Sequence, residues 1–129
     1  MAAFEKIPDK PLAIFNPESV MGAVDQIVIV LQKLNEFFDS QHEKIFFMID
    51  TRGVAVSFDT LARNLNIVNR QNHLFVHPMI RETLVLTDNK MVTLAAKGLD
   101  SPVFGNVRVK VFSLMEDALN YVDSQLVAE

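Results

Sequence analysis

The sequence contains no cysteine. Disulfides, thiol catalysis and thiolate-bound metals are thereby excluded, and the absence is compatible with a reducing cytosol. Glycine is scarce, with four in 129 residues. Gly53, Gly98 and Gly105 fall in neither a GxGxxG nor a GxxxxGKS/T pattern, so nucleotide hydrolysis and Rossmann-type dinucleotide binding lose their main support. Positive charge is also short: 12 Lys and Arg stand against 16 Asp and Glu, a net charge of −4. The basic residues are scattered, so a nucleic-acid partner, which needs a clustered basic face, is not expected. The longest nearly charge-free stretch, QIVIVLQKL, falls far below the roughly 20 residues of a membrane-spanning helix. The opening MAAFEKIPDKPLAIF has no apolar core of signal-peptide length. A cytoplasmic protein without a transmembrane segment is the expectation.

Half of the residues are apolar, enough for the core of one domain spanning residues 1–129, with residues 1–11 a loosely ordered lead-in. PLAIF reads as a first strand at a sheet edge. In NPES, Asn16 can cap a helix that Pro17 and Glu18 open. Val20, Val24, Ile27, Leu31, Leu34 and Phe38 then recur at spacings of three and four, one face of a helix. The β-branched run from Ile27 to Leu31 locally resembles a strand, but the longer period predicts a helix. That stripe also has the spacing of a dimer seam; Met21 and Val28 widen it, as in a helix lying on a sheet.

KIFFMID and RETLVLTD read as strands buried on both faces. SFDTLARNLNIV is predicted helical, with Ser57 as its cap. NKMVTLAAKGLDS is predicted to be a short helix stopped by Gly98 in a left-handed conformation. VRVKVF alternates apolar and basic residues. SLMEDALNYVDSQL closes the chain as an amphipathic helix, with Leu114, Ala118, Tyr121, Val122 and Leu126 inward and Ser113 and Glu116 as a capping box. Strands alternating with helices predict a single α/β domain. Its sheet is mostly parallel, of about four to five strands, with right-handed crossovers and flanking helices. Residues 69–80 form the longest irregular connection.

Candidate chemistry is sparse. Asp50 and Asp88 each end an apolar strand, which places both carboxylates at the sheet edge where such folds bind ligands. They could hold a metal ion or move protons, or they could cap turns. For Asp50, hydrogen bonds from the TRG turn are expected, with Gly53 supplying the flexibility. His73 and His77 are four apart, but Pro78 disfavours helical geometry at His77 and no third ligand stands near. Ser57 lies in VAVSFDT, without the glycines of a nucleophile elbow; it suits a cap or a regulatory phosphoacceptor at a helix N-terminus. No metal and no cofactor are expected.

The order of motifs FFMIDTRGVAVSFDTLARNL, then TLVLTDNKMVTLAAKGLDSPVFGNVRVKVFSLMEDALNYV, resembles the STAS superfamily, the anti-sigma-factor-antagonist fold, and within it the SpoIIAA-like branch. The resemblance covers roughly residues 40–126. It implies a small regulatory or ligand-binding α/β domain rather than a catalyst. Such antagonists carry a phosphorylatable serine in DSSG at the start of the helix after the aspartate-ended strand; here Ser57 stands near that position, within VSFDT. The family commonly opens with paired strands, whereas this sequence predicts one short strand before a long helix. The resulting expectation is a non-enzymatic regulatory or protein-interaction domain, working through a protein partner or a homodimer. A small apolar ligand is a further possibility, and Asp50, Arg52, Ser57 and Asp88 form the candidate ligand or partner surface. The alternative is a small-molecule or metal-ion site, with or without catalysis, at the strand-end carboxylates.

Overall fold

Continuous apolar runs build the centre of the sheet. The computed structural model describes residues 4–17, 24–53, 59, 63, 74–99 and 107–127; for residues 24–27 it describes the backbone only. Five strands are present among them: β1 Phe4–Lys6, β2 Leu12–Phe15, β3 Ile45–Asp50, β4 Ile80–Leu86 and β5 Val109–Phe112. The α-helices α1 Val24–Asp39, α2 Lys90–Gly98 and α3 Met115–Val127 accompany them. A 3₁₀ turn covers Leu74–Val76.

The strands lie in the order β1-β2-β3-β4-β5. β1 and β2 are antiparallel, with Phe4 opposite Phe15, and every later pair is parallel. The domain is therefore α/β with a mostly parallel sheet. β2 is an interior strand, not the expected edge, because Phe4–Lys6, from the stretch read as a loose lead-in, pairs along its outer side.

Strand pleating sends alternate side chains to opposite faces. On one face Ala13, Phe15, Ile45 and Phe47 meet Leu31, Leu34 and Phe38 of α1, together with Leu74. Further along that face Val85, Val109 and Val111 meet Val92 and Ala96 of α2. The opposite face carries Leu12, Phe46, Met48, Leu84 and Leu86, which pack on Ala118 and Val122 of α3. Crossovers of one hand, stepping always in the same direction, put their helices on the same side. Hence α1 and α2 share a face, and α3, which follows the last strand, covers the other. Phe47 and Leu84, in neighbouring central strands, are fully buried as predicted.

An aromatic chain holds α1 to the sheet. Phe37 lies edge-on to Phe4 at 4.8 Å and to Phe38 at 5.1 Å, and Phe38 meets Phe47 at 5.4 Å. Edge-to-face geometry sets the ring edge against the π face, which adds to the area buried. This packing outweighs the strand propensity of the β-branched run, which is helical.

Local expectations fare unevenly. Asn89 caps α2, its side chain accepting from the Met91 N–H at 2.8 Å. Gly98 is not a left-handed stop: the helix ends at Gly98, and Leu99 stays right-handed at φ −63°. Leu99 is buried, and its carbonyl accepts from the Val107 N–H at 2.9 Å, which draws the chain toward β5. Leu114 is 57% exposed rather than inward, because α3 begins only at Met115. No described helix is long and apolar enough to cross a membrane.

Candidate functional site

Asp50, Arg52 and Asp88 lie at or just beyond the C-terminal ends of the neighbouring parallel strands β3 and β4. Asp50 is the last residue of β3. Its Oδ1 accepts from the Arg52 backbone N–H at 3.1 Å, which closes the TRG turn. Gly53 takes φ +76°, a left-handed conformation that costs glycine little. The Arg52 side chain also folds back on the same carboxylate, with Nε donating to Oδ1 at 3.1 Å and an Nη donating to Oδ2 at 3.2 Å. Thr51 anchors the turn to β4, its hydroxyl donating to the Leu86 carbonyl at 3.0 Å. The guanidinium pKa is raised, chiefly by the hydrogen bond to Asp50 and further by the charges of Asp50 and Asp88, against a lowering from burial. Arg52 thus pairs with Asp50 and lies within electrostatic reach of Asp88. Among the described residues no group of three or more His, Cys, Asp or Glu side chains is gathered for a metal.

Asp88 is exposed beyond the end of β4. Capping falls to its neighbours: Thr87 Oγ1 accepts from the Asn89 N–H at 3.0 Å, and Asn89 caps α2. Ser57 and His73 lie outside the described residues, while Asp59 and Arg63 in the same segment are helical and exposed. His77 follows the 3₁₀ turn, and its ring contacts Asp39 at the end of α1.

The opposite edge of the sheet holds a second constellation. Glu82, near the start of β4, is only 5% exposed, and the Tyr121 hydroxyl of α3 donates to its Oε1. Tyr121 lies between Phe46 and Phe112, with ring centroids at 6.2 and 5.5 Å. Its pKa is pushed up to about 12, first by burial, then by the hydrogen bond to Glu82 and by that residue's charge; Arg108 and Arg81 pull the other way. The Arg81 guanidinium lies 5.0 Å from the Phe46 ring centroid and donates to the Gln125 carbonyl at 3.3 Å. A cleft of about 430 Å³ opens here, with Lys44, Arg81, Glu82 and Arg108 in its lining. A smaller cleft of about 200 Å³ is also lined by Arg81, Glu82 and Arg108 and reaches His77.

These residues are not visible as a motif. Lys44 and Arg108 each stand just outside a strand, at different points of the chain, and Tyr121 reads as core filler. The one signal is Glu82, a charge in the same strand as the apolar run Leu84 to Leu86. Compared with known protein families, with characterised proteins and with solved structures, the chain matches none of them.

Proposed function

We propose that this chain is a non-enzymatic binding domain of the SpoIIAA-like, STAS kind, acting by recognition of a protein partner through the surface around Asp50, Arg52 and Asp88. The observation that carries this reading is the closed pair between Asp50 and Arg52. A carboxylate whose two oxygens already accept from a turn amide and a guanidinium is poorly placed to ligate a metal. Arg52 itself is exposed, so the pair presents polar chemistry to a partner at the surface. The antiparallel β1–β2 opening supports the resemblance further, since paired opening strands are common in that family. So does the order of parallel strands and helices that follows.

In-cell crosslinking with mass spectrometry, run on the wild type and on an Arg52→Glu variant of unchanged circular dichroism, tests the reading. A partner joined through residues near Arg52 in the wild type, and lost in the variant, is expected. Equal crosslinking of both proteins at a different face would overturn it.

A further inference from the structure

The cleft at the N-terminal ends of the strands contains Glu82, Lys44 and Arg108, for which the described residues supply no ion-pair partner. Glu82 is almost wholly buried, yet among the described residues it makes no ion pair; its neutral partner, Tyr121, occupies one carboxylate oxygen. A carboxylate has about four lone-pair sites, and taking it out of water is unfavourable unless those sites are met. Lys44 and Arg108 are exposed in the same cleft and make no ion pair among the described residues. Glu43 also lines it and is exposed. Arg81 is held by Phe46 and Gln125 and forms part of the wall.

The volume lies within the range of small-molecule sites, roughly 300–1,000 Å³. A simple anion would meet repulsion from Glu82, and a simple cation would meet it from Lys44 and Arg108. A molecule bearing both charges satisfies the two sets of groups at once. We infer that this cleft binds a small zwitterion of the α-amino-acid class. Its ammonium group donates to Glu82, and its carboxylate accepts from Arg108 and Lys44. Binding is non-covalent and leaves the ligand unchanged. The site lies at the edge opposite Asp50 and Arg52, so its fate is independent of the partner surface proposed above.

Tyr121 is the sole tyrosine and the sequence has no tryptophan, so its emission reports directly on the Glu82 hydrogen bond. The test titrates the full chain with each common L-amino acid, and separately with acetate, methylamine and inorganic phosphate. Calorimetry follows the same titrations. At least one amino acid is expected to give a saturable change that none of the singly charged probes reproduces. Arg108→Ala should weaken that binding by about tenfold or more, as should Glu82→Gln, which keeps the side-chain shape and removes its charge. Wild-type circular dichroism is required of both variants; if Glu82→Gln fails to fold, Arg108→Ala and Lys44→Ala carry the test. The inference is overturned if no amino acid binds by either method, if phosphate or acetate binds as well, or if the folded variants bind like the wild type.

Discussion

His77 and Asp39, 38 residues apart in sequence, are joined by a hydrogen bond of 2.8 Å between the imidazole Nε2 and Oδ1. On the far side of the ring, Nδ1 accepts from the Met79 backbone N–H at 3.0 Å. An imidazole nitrogen that accepts carries no proton, so the neutral ring holds its hydrogen on Nε2 and donates it to Asp39. The pair ties the end of α1 to the turn that leads into β4.

The two ends of this link differ in worth. Asp39 is exposed, and its loss to alanine should cost less than about 1 kcal/mol. His77→Ala should cost more, about 1–3 kcal/mol, because the Met79 amide loses its acceptor and Phe38 loses a ring packed at 5.7 Å. Urea denaturation ranks the two variants. Equal losses would show that the Met79 bond contributes nothing.

Tyr121 should titrate late. Its phenol is expected to ionise near pH 12 instead of 10, a shift visible in near-ultraviolet absorbance without interference from other tyrosines. The folded pKa is raised, so below pH about 10 both folded and unfolded chains keep the proton and stability is undiminished. Between about 10 and 12 the unfolded chain ionises first, and this residue's contribution to stability falls with rising pH. Glu82→Gln should lower the midpoint and leave it above the ordinary value, since burial persists. A wild-type midpoint at 10 would contradict the hydrogen bond.

Asp50 is expected to tolerate asparagine better than alanine. Asparagine keeps an acceptor for the Arg52 amide and loses the charge, at a cost of about 1 kcal/mol; alanine removes the acceptor, at roughly 1–3 kcal/mol. Thermal melts of both variants check the order. A loss of partner binding in Asp50→Asn at unchanged stability would transfer the weight from turn geometry to charge.

Thr83 offers a gain. Its hydroxyl is buried in β4 and has no hydrogen-bond partner among the described residues, whereas valine fills nearly the same shape without a polar atom. Thr83→Val should raise stability by about 1 kcal/mol, seen as a higher urea midpoint at unchanged slope. A lower midpoint would mean that the hydroxyl finds a partner in solution.

Phe47→Ala and Leu84→Ala should each cost about 2–5 kcal/mol by opening cavities on opposite faces of the sheet. Their side chains fall in separate core clusters, and urea denaturation of each single variant checks the loss.

Where hydrophobic pattern decides structure, the sequence is legible. IFFMID and the LVL of β4 are strands because helices cover both faces, and Leu31, Leu34 and Phe38 are inward because their spacing is helical. FEK is three residues long with no pattern of its own, and it becomes a strand only by pairing with Ala13, Ile14 and Phe15. The Asp50 turn could be read from local chemistry, as residue and partner are two positions apart. The Glu82 cleft could not: Lys44, Glu82, Arg108 and Tyr121 converge only after four segments have docked.

The sequential strand order also bears on how the chain acquires its fold. Every described strand pairs only with described strands that precede or follow it directly in order, so none of the five must thread between two that are already joined. Synthesis delivers the β1–β2 hairpin before β3, β4 and β5, and each of these strands meets an edge that is already waiting. Closure of α3 over Leu84, Leu86 and Phe46 follows the pairing of β5, so until α3 emerges these side chains lack its cover and stay within reach of chaperones.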